Sequence, residues 1–187
     1  DGTTLTAEGR NNALSVIAVA DRGAMLDAST VFYMDKIVTG PEGVGVVDIR
    51  LPIAENIRRL AKALDKPVEE LVVSVLNRPR HAQLIDEIRD AGAGTRLMSD
   101  GDVAGGINAA RHNARTDMCV GVGGSPEGIV TACAIKALGG HIQGRLWARD
   151  DDEKQRGIDA GLKLDDHVYE ADDLVRGNNT LFVATGV

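Results

Sequence analysis

Aromatic residues are nearly missing from this 187-residue chain: one Trp, two Tyr and two Phe, 3% in all. A hydrophobic fraction of 43% must then build its core mainly from Ala, Val, Ile and Leu. Cysteine is as scarce. Cys119 and Cys133 sit inside apolar segments without metal-ligand spacing, and buried free thiols of a reducing compartment account for them. No apolar run approaches the roughly 20 residues of a membrane helix, which excludes a membrane partner. The opening Asp1-Gly2-Thr3-Thr4 lacks the basic region and apolar run of a signal peptide, so a cytoplasmic location is expected. Positive charge is in deficit too. Lys and Arg number 21 against 28 Asp and Glu, a net charge of −7, and they are scattered rather than clustered. Nucleic acid, which needs a basic face, is excluded as a partner. An acidic chain can still bind phosphorylated metabolites if it gathers a few arginines or metal ions in one cleft.

The length allows one domain or most of two small ones. The chain opens on a carboxylate without an initiator Met and stops at Ala184-Thr185-Gly186-Val187, just after an apparent strand; it is expected to be part of a longer protein. Residues 12–20 read as a β-rich stretch, with Asp21-Arg22-Gly23 as a hairpin turn and Ala24 to Leu26 opening the partner strand. Gly40-Pro41-Glu42-Gly43 reads as a loop and a subdomain junction, which divides the chain into residues 1–43, the end of an α+β subdomain, and residues 44–187, an α/β subdomain. Ile57, Leu60, Ala61 and Leu64 form the stripe of a surface helix. Strand, polar loop and helix then follow one another three times. The strands are Leu71–Leu76, Thr95–Met98 and Met118–Val122. Their loops are Arg78-Pro79-Arg80-His81, Asp100-Gly101-Asp102 and Gly123-Gly124-Ser125-Pro126-Glu127-Gly128. Further strands are expected near 142–148 and 180–184. This rhythm predicts parallel strands with helical crossovers, whose ligands bind beyond the carboxyl ends of the strands. The three loops should therefore meet at one cleft.

Each loop has a chemical reading and a plainer one. In the glycine-rich loop, glycines admit close backbone approach, and free N–H groups at the following helix start attract an anion. Glu127 beside a bound phosphate needs a divalent cation between the two; alternatively it serves only the helix dipole. Asp100 and Asp102 suit metal ligation or hydrogen bonds from sugar hydroxyls, and Asp102 alone could be an N-cap. Arg78 and Arg80 around Pro79 suit a phosphate clamp or an ordinary solvated loop. His81 reads as structural, because no nucleophile is placed to use it. In Asp1-Gly2-Thr3 a hydroxyl lies beside a carboxylate, and such a hydroxyl can orient a metal-held water. Tyr33, in Tyr33-Met34-Asp35-Lys36, would pack with its hydroxyl outward.

In this order the loops resemble the class II fructose-1,6-bisphosphatases of bacteria, within the wider family of lithium-sensitive, metal-dependent sugar and inositol phosphatases. The resemblance covers essentially the whole chain. Asp1-Gly2-Thr3 is similar to the second half of the family's Asp-Pro-x-Asp/Glu-Gly-Thr motif, and the four later segments, from Tyr33-Met34-Asp35-Lys36 on, match its later signatures. The resemblance implies a layered α-β-α-β-α sugar-phosphatase fold, of which this chain is an incomplete portion. It also implies hydrolysis of the 1-phosphate of fructose 1,6-bisphosphate in gluconeogenesis, with Mn²⁺ or Mg²⁺, by a homo-oligomer. Asp1 and Glu127 would be metal ligands, and Thr3 would act with them in catalysis. Asp1, Gly2, Thr3, Tyr33, Arg78, Pro79, Arg80, Asp100, Gly101, Asp102 and Gly124 would hold the sugar bisphosphate. The family often has Lys where Arg78 stands, and its earlier carboxylates would precede Asp1. This stretch by itself is therefore expected to be inactive. A seven-carbon sugar bisphosphate or an inositol phosphate is the alternative substrate, and a non-catalytic sugar-phosphate-binding module the alternative function.

Overall fold

The computed structural model describes residues 1–186. In chain order its elements are α1 (Thr3–Ala7), β1 (Leu14–Ala20), β2 (Tyr33–Thr39), α2 (Ile53–Ala63), β3 (Val72–Leu76), α3 (Ala82–Asp90), β4 (Gly94–Met98), α4 (Asp102–Ala110), β5 (Met118–Gly124), α5 (Ser125–Leu138), β6 (His141–Trp147), α6 (Asp151–Asp159), β7 (Tyr169–Glu170), α7 (Ala171–Leu174) and β8 (Thr180–Gly186). The repeated strand–loop–helix rhythm becomes β3-α3-β4-α4-β5-α5. β4 and β5 lie parallel to β3 on either side of it, as crossover helices require.

These strands belong to a six-stranded sheet of order β4-β3-β5-β2-β6-β7. Both its faces are covered, which is why β3 reads as a continuous apolar run rather than an alternating one. On one face Val73, Val75, Met118 and Val120 pack with Ile57, Leu60, Ile85 and Ile88 of α2 and α3. On the other, Met34, Val38, Cys119 and Ile142 pack with Ala109 of α4 and with Ile129, Ala132 and Ile135 of α5. α5 also packs against β1 and β8, which form a separate two-stranded sheet. The layers therefore run α2/α3, six-stranded sheet, α4/α5, two-stranded sheet: four of the five expected. Among the described residues no helix is long and apolar enough to cross a membrane.

One local expectation needs correction. β1 does not form a hairpin with residues 24–26; it pairs antiparallel with β8, Leu14 opposite Gly186 and Ala20 opposite Thr180. The turn at Asp21 does form, with Ala24 N donating to Asp21 O at 2.9 Å, but residues 24–26 then bond to the segment around Val175 instead. β2 carries no strand signature in its sequence, because adjacent Asp35 and Lys36 interrupt its apolar pattern. It nevertheless lies inside the sheet, antiparallel to both β5 and β6. Strand pairing also crosses the junction after Gly43 twice, since β2 joins the sheet of β3 to β7 and β8 joins β1.

One buried carboxylate fixes where β2 begins. Glu153 of α6 is only 2% exposed and accepts from Phe32 N at 3.0 Å and Arg149 N at 2.7 Å, with the Arg149 guanidinium beside it. Phe32 O in turn accepts from Ser125 N at 2.9 Å. The start of β2 and the start of α5 are thus tied together immediately before Tyr33.

Candidate active site

The loops after β3, β4 and β5 do meet. Arg78 Nη1 donates to Ser99 O at 2.6 Å and Nη2 lies 3.3 Å from Asp100 Oδ1. Arg80 turns the other way, donating through Nε and Nη2 to Val122 O at 3.2 and 2.9 Å. Its guanidinium stands 5.1 Å from the centre of the Tyr33 ring, a cation–π distance. Pro79 opens the short turn that separates the two arginines. The first loop therefore straddles the other two.

His81 braces this arrangement. Val122 N donates to its Nε2 at 2.9 Å, and its Nδ1 lies 2.8 Å from Leu76 O. A backbone amide can only donate and a carbonyl only accept, so the ring must be neutral with its proton on Nδ1. Burial pushes its pKa below the usual histidine range, outweighing the pull of Leu76 O. A lowered folded pKa means that the associated stability is present above about pH 6.5 and is lost as pH falls below it. We expect the His81 ring resonances to titrate with a midpoint below 6.5 by NMR; a midpoint above 6.5 would contradict the neutral brace.

Two Asp-Gly pairs cap each other's helices. Asp100 Oδ2 accepts from Thr4 N at 3.1 Å, in the first turn of α1. Asp1 Oδ2 accepts from Ala104 N at 3.2 Å, in the first turn of α4. Each carboxylate meets orphan donors at a helix start, and together they lock the Asp1-Gly2-Thr3 segment to the Asp100-Gly101-Asp102 loop. Gly101 has φ 85°, and a Cβ there would sit 3.0 Å from Asp1 Oδ2, so the turn favours glycine on both counts. Gly2 is buried, whereas Thr3 is exposed at the first position of α1, and none of the described residues engages its hydroxyl.

The third contact has no local sequence signal for its pairing. Lys36 of β2 is 7% exposed, and its Nζ lies 2.5 Å from Asp102 Oδ2 and 3.4 Å from Gly124 O. A Cβ at Gly123 would overlap both the Asp102 carboxylate and Nζ. Asp102 is accordingly not an N-cap: Gly101 holds that position and Asp1 supplies the cap bond. With an ammonium already against it, Asp102 is also poorly suited to a cation. Glu127, in the first turn of α5, turns its carboxylate back beside Gly124 and accepts no hydrogen bond from the described residues.

Asp1 and Glu127 are hard oxygen donors, the right kind for Mg²⁺ or Mn²⁺. They fall short in number: among the described residues no three acidic, His or Cys side chains converge to enclose an ion. A cavity of about 800 Å³ opens beside Asp100 and Gly101, between α1 and α4; Tyr33, Arg80 and Glu127 do not line it. Cys119 lies below the site with its thiol pushed up to about 11 by burial, which makes it inert.

The family profile described as bacterial fructose-1,6-bisphosphatase, glpX-encoded, matches residues 1–187. The chain belongs to this family. The fructose-1,6-bisphosphatase 1 class 2 of Escherichia coli K12 is 40% identical over 204 aligned positions, which cover 100% of the chain and 59% of that protein. The class 2 fructose-1,6-bisphosphatases of Escherichia coli O6:H1 (strain CFT073) and Shigella flexneri give the same figures. The chain thus spans 59% of the length of these curated relatives. Family membership agrees with the layered α/β fold. Lys36 is the site residue that sequence reasoning passed over. Its signal was a single Lys between Met34 and Val38, two positions that face the core.

Proposed function

We propose that the protein containing this chain hydrolyses the 1-phosphate of fructose 1,6-bisphosphate, giving fructose 6-phosphate and phosphate in gluconeogenesis. The observation that carries this reading is the tying of five recognition segments into one cluster by Arg78, Arg80, Asp1, Asp100 and Lys36. Family membership and the names of the relatives point the same way. The setting is a homo-oligomeric cytoplasmic enzyme.

Asp1 and Glu127 would hold a divalent ion, Mn²⁺ or Mg²⁺, together with carboxylates from the part of the relatives' length that this chain does not span. Such an ion acidifies water and offsets charge on the phosphoryl oxygens. Thr3, with its hydroxyl free at the start of α1, orients the attacking water. Arg80 spends two of its five donors on Val122 O; the others remain for phosphate. Arg78, held by Ser99 O and Asp100, supplies the second cation, and Pro79 keeps the two apart. Asp100 and Asp102 each retain carboxylate lone pairs for sugar hydroxyls. Tyr33 offers its hydroxyl, and Gly2, Gly101 and Gly124 allow close backbone approach.

Replacing Arg80 by Ala should raise KM on the order of 10-fold or more, the loss of one charge-assisted contact, with a much smaller change in kcat. Steady-state kinetics check this, and an unchanged KM removes Arg80 from the clamp. Substrate class is tested by comparing kcat/KM for fructose 1,6-bisphosphate, sedoheptulose 1,7-bisphosphate and an inositol monophosphate. The first should be largest. A larger value for either of the others reassigns the substrate, and metal-independent binding without turnover would favour a sensor.

A further inference from the structure

We infer that Lys36 is a positioning residue for sugar recognition, acting through Asp102; this rests on the sugar-bisphosphate reading above. β2 alternates, so Met34, Lys36 and Val38 share the face turned toward α4 and α5. Met34 and Val38 enter the core there, whereas the Lys36 stem runs beneath the first turn of α5. A Cβ at Gly128 would lie 3.1 Å from Lys36 Cδ, and one at Gly123 would strike Nζ. The ammonium thus ends between the starts of two helices: Asp102 is the first residue of α4, and Gly124 precedes α5.

A cation at this place needs a reason, because helix N-termini already carry positive potential and burying an ammonium is costly unless it is paired. The pairing is with one carboxylate oxygen only. Nζ takes Asp102 Oδ2 at 2.5 Å and the Gly124 carbonyl at 3.4 Å, while no described residue donates to Asp102 Oδ1. Lys36 therefore does three things. It turns one Asp102 oxygen inward and leaves the other for a hydroxyl of the ligand. It holds the Asp102 loop at a set distance from the Gly124 loop, so that sugar and phosphate contacts are made together. It would also keep Asp102 from serving as a metal ligand, leaving that role to Asp1, Glu127 and carboxylates that this chain does not span.

The test is a double-mutant cycle in the full-length protein, using Lys36→Gln, Asp102→Asn and the pair, with KM, kcat and the equilibrium Kd for fructose 1,6-bisphosphate as readouts. Lys36→Gln keeps a donor and most of the length, and removing both charges together leaves no unpaired buried ion. Each single change should weaken binding on the order of 10-fold, the cost of disturbing one charged hydrogen bond. The pair should be no weaker than Asp102→Asn alone. Multiplied effects in the pair, or a lower melting temperature with unchanged KM and Kd, would reduce Lys36 to a structural ion and overturn the inference. If Lys36→Gln does not fold, the cycle is read from Lys36→Arg, which keeps the charge and should restore at least half of wild-type affinity in the Asp102 background but change nothing in Asp102→Asn. A Lys36→Arg change that weakens binding equally in both backgrounds also overturns it. Wild-type protein that neither binds nor hydrolyses the sugar bisphosphate would reject the substrate reading and the Lys36 role with it. Binding with an additive cycle rejects only the latter.

Discussion

Glu127→Ala is expected to lower kcat on the order of 100- to 1,000-fold, the scale seen when a group that stabilises transition-state charge is removed, with the fold left intact. The carboxylate stands in the first turn of α5 beside Gly124 and accepts nothing from the described residues. Its removal therefore opens no buried hydrogen bond. It forfeits only a charge–dipole contribution of about 0.3–1 kcal/mol. Two readings of Glu127 part here. As a metal ligand it controls turnover and hardly affects stability; as a helix-dipole partner it does the reverse. Steady-state kinetics and a thermal melt on the same preparation separate them. A variant that melts earlier but keeps its kcat would return Glu127 to the plainer role.

The second large effect concerns stability. Glu153→Ala should cost about 2–4 kcal/mol, since a buried donor left unpaired costs about 1–3 kcal/mol and the remaining Arg149 side chain is half exposed. It would strand Phe32 N and Arg149 N, which the carboxylate now satisfies. Although burial raises its pKa, the Arg149 guanidinium and the two backbone N–H groups outweigh this and hold it at about 2. A depressed carboxyl pKa stabilises the fold fully above about pH 4.5, and that stability drains away as pH falls toward 2. Denaturant unfolding at pH 7 should show the loss in the alanine variant, and Glu153→Gln should flatten the acid limb between those two pH values. An alanine variant within about 1 kcal/mol of wild type, the size of an ordinary surface change, would contradict the account. Because Glu153 anchors Phe32, and Phe32 anchors both Tyr33 and Ser125, the same change should also loosen the site.

How much was legible in the sequence follows the range of the interaction concerned. The β3-α3-β4-α4-β5-α5 run was readable because each element declares itself locally: apolar runs such as Leu71–Leu76, stripes such as Ile57, Leu60 and Ala61, and polar loops between them. Membership of β1 and β8 in one sheet was not, since no local pattern pairs Leu14 with Gly186. The hairpin expected there had a real turn at Asp21 and lost only to a better distant partner. β2 was hidden by its own chemistry. Asp35 and Lys36 look like a solvated stretch, yet Lys36 finds Asp102, and Asp35 finds Arg145 at 3.5 Å, while burial raises the Asp35 pKa. The same concealment applies at the site. Arg78, Arg80 and the Asp100 loop could be placed at strand ends because their spacing follows from the rhythm. The exchange of caps between Asp1 and Asp100 could not, because it joins two helices that are distant in the chain.

Phosphate release from fructose 1,6-bisphosphate by the full-length protein, measured with Mn²⁺ and again after chelation, tests the central claim most directly. Release that requires the metal is the predicted result. A folded protein that releases no phosphate with Mn²⁺ or Mg²⁺, or that releases it equally well after chelation, would contradict the account.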